Sequence, residues 1–375
     1  MLKIFQTGDN HIGLKYANHA KKDQLIAARM HAFADMVTIA NSEHCDLFVI
    51  TGDLFENTYS IPKRDVQTLL DMLSGFHGTV VVLPGNHDYY EDNAKIWQHF
   101  QDVAAEKDNI MLLTEYRPYA LTVDGNPVVL YPAHCTSLHS EAGKNNLDWI
   151  KKESITADAT YCIGIAHGAV QGETIDREGQ YFLMTRQELE SIPVDVWLIG
   201  HTHVPFPANL TEDFTPCERI LNAGTHVQTD VSCNTEGVCF IIAIDEQKKI
   251  RAKKVTSGKL RFYRKTIPLK ADAMEAILDR ALADIGDNSV VDLTLTGAVT
   301  AEEYDNRSAI ISQKISRFLE STYNDSALSK LISKELIDAE FAETSLSGRL
   351  LTALLDDPKE AQLAYELLQS LKEGK

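Results

Sequence analysis

Asp9 and His11, Asp53, Asn86 and His87, His167, and His201 and His203 each stand at the end of an apolar run. The runs read "KIFQTGDNH", "FVITGD", "VVLPGNHD", "IGIAHG" and "WLIGHTH". Short apolar runs of this kind suit strands covered on both faces, and open α/β sheets bind ligands in the crevice outside their strand C-termini. The pattern predicts one crevice fed from five strand ends. Asp9/His11 and His201/His203 are two residues apart, so in extended backbone both members of each pair point to the same side.

The residue types narrow the chemistry. Setting His87 aside leaves seven ligand-type residues, namely two carboxylates, one amide oxygen and four imidazoles, with no thiolate among them. Such a set suits borderline-hard divalent ions such as Mn2+ better than a structural zinc. It is too large for one open catalytic ion, and it fits two if one carboxylate bridges. The pocket would then stay positive overall and attract a phosphodiester. The other histidines, at 19, 31, 44, 77, 99, 134, 139 and 226, read as packed or surface residues, with His134 and His226 the most ligand-like of them.

The elements that must position these residues follow an α/β grammar. Ile26, Met30, Phe33, Val37 and Ala40 recur at helical spacing, and Pro62 opens a helix through Leu69, Leu70 and Leu73. Residues 237–256 read as a β-hairpin. After about residue 267 the pattern becomes helix over 272–286, strand over 289–297 and helix over 301–321. Asp357 as N-cap, Pro358 at the first helical position and Glu360 at the third open a last helix, whose stripe is Leu363, Leu367, Leu368 and Leu371. At 375 residues two domains are the default, and we place them at 1–266 and 267–375.

Composition excludes some classes of function. No apolar run approaches a membrane span, and the N-terminal "MLKIFQTGDNHIG" has no signal-peptide organisation, so a soluble cytoplasmic protein is expected. Six scattered cysteines without a CxxC pair agree with a reducing compartment. Net charge is −18, which argues against nucleic-acid binding by the surface as a whole. Residues 248–270 are the exception, with ten Lys and Arg and no acid. That strip could grip phosphates, or it could be a solvated hairpin face.

The ordered set Asp9-x-His11, Gly52-Asp53, Gly85-Asn86-His87-Asp88, His167 and Gly200-His201-Thr202-His203 resembles the metallophosphoesterase superfamily over residues 1–205. The resemblance implies a four-layer α/β/β/α sandwich, here followed by a smaller C-terminal α/β cap and a helical tail. It implies two metal ions, one held by Asp9, His11, Asp53 and His203, the other by Asp53, Asn86, His167 and His201, with Asp53 bridging. His87 takes the place of the residue at the scissile phosphate, with Asp88 orienting its ring.

Finer features, "GDLFENTYSIP", "GNHDYY" and "AHGAVQG", are similar to the SbcD-like DNA repair exonucleases. That likeness implies DNA and an SMC-like, SbcC-type ATPase as partners and a nuclease activity, with the C-terminal leucines either docking the ATPase or packing on their own cap. A phosphodiesterase or nucleotidase acting on small cyclic or linear nucleotides is the alternative. Self-association into a homodimer is left open.

Overall fold

The computed structural model describes residues 1–153, 155, 159–173, 176, 179–233 and 235–372. The last three positions of the expected helical tail, 373–375, lie outside them. The chain divides into two compact units, Met1–Phe262 and Tyr263–Lys375. The sequence boundary at 266/267 falls in the same strand, Arg261–Lys270.

The first unit holds two sheets. A seven-stranded sheet runs in the order Ile110–Leu112, Thr79–Val82, Leu47–Ile50, Leu2–Thr7, Val238–Ile244, Ile250–Thr256 and Thr215–Pro216. Its first four strands are parallel, and the Val238–Ile244/Ile250–Thr256 hairpin joins antiparallel to Leu2–Thr7. A five-stranded sheet runs Ile220–Asn222, Val196–Gly200, Tyr161–His167, Asn126–Ala133 and Tyr119–Val123. Four of these are parallel, and Tyr119–Val123 returns antiparallel.

Alternation along the strands produces the layers. Leu47 and Val49 turn to one core with Ile4, Ile242, Leu130, Ile163 and Leu198, which sits between the sheets. Phe48 and Ile50 turn the other way, against helices Lys22–Ser42, Lys63–Leu73 and Lys95–Ala104. On the far face of the second sheet, Tyr131, Cys162, Ala166 and Trp197 pack on Ile150 and Leu189 of helices Asp148–Lys152 and Arg186–Ser191. The result is the expected α/β/β/α sandwich. Because successive side chains alternate faces, a fully buried strand such as Tyr161–His167 serves two cores at once.

Helix Lys22–Ser42 departs from the expected stripe. Its buried face is Leu25, Arg29, Phe33, Met36, Val37 and Ala40, while Ile26 and Met30 are half-buried. An arginine replaces the apolar residue expected in the second turn.

The second unit carries a three-stranded sheet ordered Arg261–Lys270, Ser289–Val299 and Glu320–Lys330. Ser289–Val299 and Glu320–Lys330 are parallel, joined across helix Ala301–Ile315, with a register shift between Thr294 and Thr296. The Thr300 hydroxyl and the Glu303 carboxylate form a reciprocal cap at that helix start. The sequence expectation ran this helix to residue 321; it ends at Ile315, and the polar strand Glu320–Lys330 follows.

Asp357 caps the last helix, Pro358–Lys372, by accepting the Lys359 and Glu360 amides at 3.1 and 3.2 Å. Of the expected stripe only Leu368 lies on the packed face. Ala361, Tyr365 and Leu368 face inward, while Leu363, Leu367 and Leu371 are exposed. Among the described residues no helix is long and apolar enough to cross a membrane.

Candidate metal centre

All eight sequence-predicted site residues come together at the strand ends of the first unit. Asp9 and His11 follow Leu2–Thr7, Asp53 follows Leu47–Ile50, and Asn86 and His87 follow Thr79–Val82. His167 ends the Tyr161–His167 strand, and His201 and His203 follow Val196–Gly200. Asp9, His11 and His203 each offer a ligand atom within 4.8 Å of the others, as do Asp53, His167 and His201. A third triple, His11, Asp53 and His87, overlaps both.

The loops between these residues are cross-tied. The Asp9 amide donates to the Gly52 carbonyl at 3.1 Å and the His11 amide to the Asp53 carbonyl at 2.9 Å. The His201 amide donates to both Asp9 carboxylate oxygens, at 3.0 and 3.2 Å. Asp9, His11, Asp53 and His201 all have positive φ, at 48, 46, 51 and 108°. Side chains rarely accept that conformation, which costs roughly 1–3 kcal/mol per residue and persists where surrounding structure over-determines it. Two glycines make the close packing possible. A Cβ at Gly52 would run into the His167 ring, and one at Gly85 into the Asp53 carboxylate.

The donor set fits divalent cations. His11 Nε2 and His203 Nε2 face each other at 3.1 Å. The Asn86 carbonyl oxygen lies 3.0 Å from His167 Nε2 and 3.1 Å from His201 Nδ1. The Asn86 amide is fixed by donating to the Leu138 carbonyl at 3.3 Å. Asp53 Oδ2 sits 3.3 Å from His167 Nε2 and 3.8 Å from His11 Nε2, so it links the two triples. Ring nitrogens and carboxylate and amide oxygens therefore converge within reach of one another, and a divalent cation would displace the protons that now join them. Asp9, His11, Asp53 and His203 would hold one ion, and Asp53, Asn86, His167 and His201 the other.

Charge among the side chains of the centre is distributed unevenly. Burial raises the Asp9 carboxyl to about 8, against the pull of His167. Asp53 is buried as well, but His167 and His11 outweigh the burial and hold it well below the usual carboxylate range. Burial alone would lower His167, and Asp53 overrides it to raise the imidazolium to about 9. Burial pushes His201 down to about 4 and His203 down to about 3.

Three features escape the sequence reading. The Glu56 carboxylate lies 3.0 Å from His11 Nδ1, the arrangement that orients a metal-ligating imidazole. Arg29 is fully buried and donates to the Asn10 carbonyl at 2.6 Å, with longer bonds to the Asp9 and Val227 carbonyls and to the Thr225 and Tyr16 hydroxyls. It ties the Asp9–His11 turn to the segment after Ile220–Asn222. The third feature corrects the role expected of Asp88, whose carboxylate accepts the Gly85 and Phe55 amides at 2.7 and 3.0 Å and so holds the turn. The His87 ring instead meets the Glu56 carbonyl, at 3.3 Å from Nδ1.

His134 and His226 are both buried and belong to none of the metal-sized triples among the described residues. His134 stacks on Tyr116 with ring centroids 4.3 Å apart, and His226 Nε2 meets the Arg29 carbonyl at 3.1 Å.

Solved structures similar to this chain include TT1561 of Thermus thermophilus, at 12% identity and a TM-score of 0.41, covering 67% of this chain and 97% of that one. A dimetal phosphatase from Danio rerio matches at 11% identity and a TM-score of 0.38, covering 68% and 98%. The purple acid phosphatase PPD1 from yellow lupin seeds matches at 12% and 0.39, covering 65% and 50%. The model of the calcineurin-like phosphoesterases matches residues 2–205, a span that begins at the first strand and closes two residues beyond His203. With more than half its length matched and the cation-ready cluster inside that span, the chain belongs to the calcineurin-like phosphoesterases and is a metal-dependent hydrolase of phosphoesters.

Proposed function

We propose that this hydrolase cleaves phosphodiesters in DNA, as a manganese-dependent exonuclease and endonuclease working in the cytoplasm beside an SMC-like ATPase. The observation that carries the phosphodiester chemistry is the convergence of the two triples on Asp53, a carboxylate that His167 and His11 hold well below the usual range despite its burial. The motif likeness in "GDLFENTYSIP", "GNHDYY" and "AHGAVQG" supports the DNA-repair assignment, and the all-oxygen-and-nitrogen donor set supports manganese.

Bound in this centre, divalent ions would supply charge to phosphoryl oxygens and lower the pKa of a water molecule. The chain's own residues do the rest. Asp9, Asp53, Asn86 and four imidazoles fix the centre, and Glu56 orients His11. His87, half-buried at the edge, acts at the leaving oxygen. Its Nδ1–H donates to the Glu56 carbonyl, so it is the doubly protonated ring that presents an Nε2–H to the leaving oxygen, giving up that proton and becoming neutral as negative charge develops there.

One observation favours small nucleotides as a second reading. Several cations of the 248–270 strip are already paired with acids: Lys248 with Asp195, Lys253 with Glu43, Lys259 with Asp35, Arg261 with Glu236 and Arg264 with Asp292. Paired cations attract backbone phosphates less than bare ones. The deciding assay gives the purified protein manganese, then labelled single- and double-stranded DNA beside cyclic AMP and bis(p-nitrophenyl) phosphate. DNA cleavage that declines steeply with salt upholds the nuclease. Turnover of the small diesters with DNA untouched replaces it with the second reading, and no turnover of any of them removes both.

A further inference from the structure

A cavity of about 660 Å3 opens directly beside the metal centre, with His11, His87 and His203 forming one side of it. The remainder is mostly apolar. Leu14, Tyr16, Ala17, Val204 and Cys233 line it, and hydroxyls and an amide from Asn18, Thr229, Ser232 and Thr235 stand among them. No lysine or arginine appears among its described lining residues, whereas Glu56 and Asp230 do. A second phosphate would find no counter-charge there. A flat, uncharged group with a polar edge would.

The aromatic part is held stiffly. Tyr16 has a φ of 46°, a conformation that side chains rarely adopt, and its hydroxyl is gripped by buried Arg29 at 3.3 Å. Phe262 stacks on the Tyr16 ring at 6.3 Å and 16°, and His19 meets it edge-on at 6.0 Å. The same Arg29 bonds the Asp9 and Asn10 carbonyls, so the aromatic platform and the metal-binding turn are set by one guanidinium. A platform locked to the phosphate site at fixed distance is what recognition of a phosphate and its attached ring requires, and stacking on aromatic rings tolerates any base.

We propose that this cavity is a nucleobase subsite, in which the base next to the bound phosphodiester stacks on the His19 ring that Tyr16 holds edge-on. The inference rests on the phosphodiester reading above and names the part of the substrate that reading leaves open. It applies equally to a nucleotide inside a DNA strand and to a free one.

The test compares thymidine 5′-monophosphate with 2-deoxyribose 5-phosphate by calorimetry on the manganese-loaded protein. Both ligands carry the phosphate, and only one carries a base. The nucleotide is expected to bind roughly ten-fold more tightly. Ala17→Trp and Asn18→Trp fill the cavity from exposed turn positions and leave the metal ligands alone. Either should erase that preference while leaving affinity for 2-deoxyribose 5-phosphate and for manganese unchanged. Equal affinity of the two ligands, absence of binding by both, or a preference that survives both tryptophans overturns the subsite. Loss of bis(p-nitrophenyl) phosphate hydrolysis in the wild type, with the preference intact, strikes the phosphodiester reading instead.

Discussion

The Nδ1–H of His167 donates to the Thr51 carbonyl at 2.8 Å, and this bond decides which ring nitrogen faces the centre. Nε2 is turned toward Asp53 and Asn86, 3.3 and 3.0 Å away. In the metal-free protein that nitrogen keeps a proton up to a pH of about 9, and the Asp9 carboxyl keeps one up to about 8.

Metal uptake should therefore expel protons. At pH 7 a manganese titration run in two buffers of different ionisation enthalpy should give heats that differ by the release of roughly one to two protons, and affinity should climb from about pH 6 to 9. Identical heats in both buffers would remove the protonated His167 and Asp9 from the picture.

The same two groups set an alkaline liability. Each has a pKa raised by folding, so the folded state binds more protons than the unfolded one, and stability falls as pH rises from about 4 to 8 for Asp9 and from about 6.5 to 9 for His167. Chelator-treated protein should melt at progressively lower temperature across that range, whereas protein saturated with manganese should hold its melting point. A flat profile for the chelated protein would contradict this.

His134 acts in the opposite direction on the acid side. Burial lowers it to about 4, so its contribution is full above about pH 6.5 and is lost as pH falls toward 4. The loss is on the order of 3–4 kcal/mol, at about 1.4 kcal/mol for each tenfold change in proton affinity. His134→Phe keeps a ring against Tyr116, and denaturant melts of the variant should show a shallower acid slope than the wild type. Parallel slopes would mean that His134 titrates normally.

Glu56→Gln removes the charge beside His11 Nδ1 from a side chain that is 29% exposed, so folding should survive. Manganese affinity should drop by roughly ten- to hundred-fold. Unchanged affinity in a titration would leave Glu56 without a role at the centre.

His87→Asn should leave metal content near normal, because the other seven residues supply the ligand set without it. Turnover of bis(p-nitrophenyl) phosphate should fall by roughly a hundred- to ten-thousand-fold. A variant that loses its metal along with its turnover would move His87 into the ligand set, as its proximity to His11 and Asp53 permits.

Most of the cluster is legible in the sequence because every candidate ligand follows an apolar run, and a buried strand that ends in polar residues must aim them at something. Glu56 and Arg29 give no such signal. Glu56 lies in an irregular turn, with no periodicity to say where it points. Arg29 occupies an apolar stripe, and a charged residue there reads as a sign that the stripe lies elsewhere, which is why the spacing favours Ile26 and Met30 over Leu25 and Arg29. Asp88 misleads through adjacency. Standing beside His87 in sequence, it turns into the core, where two backbone amides need an acceptor. The strand Glu320–Lys330 is hidden because it lies at the edge of its sheet, where a polar sequence meets solvent at little cost.

Asp9, His11, Asp53 and Asn86 hang from one sheet, while His167, His201 and His203 hang from the other. Cations seated among them would be rivets through two plates, tying occupancy to interlayer spacing. Any strain that slides one plate over the other would loosen the rivets, and any ion that seats firmly would stiffen the whole slab.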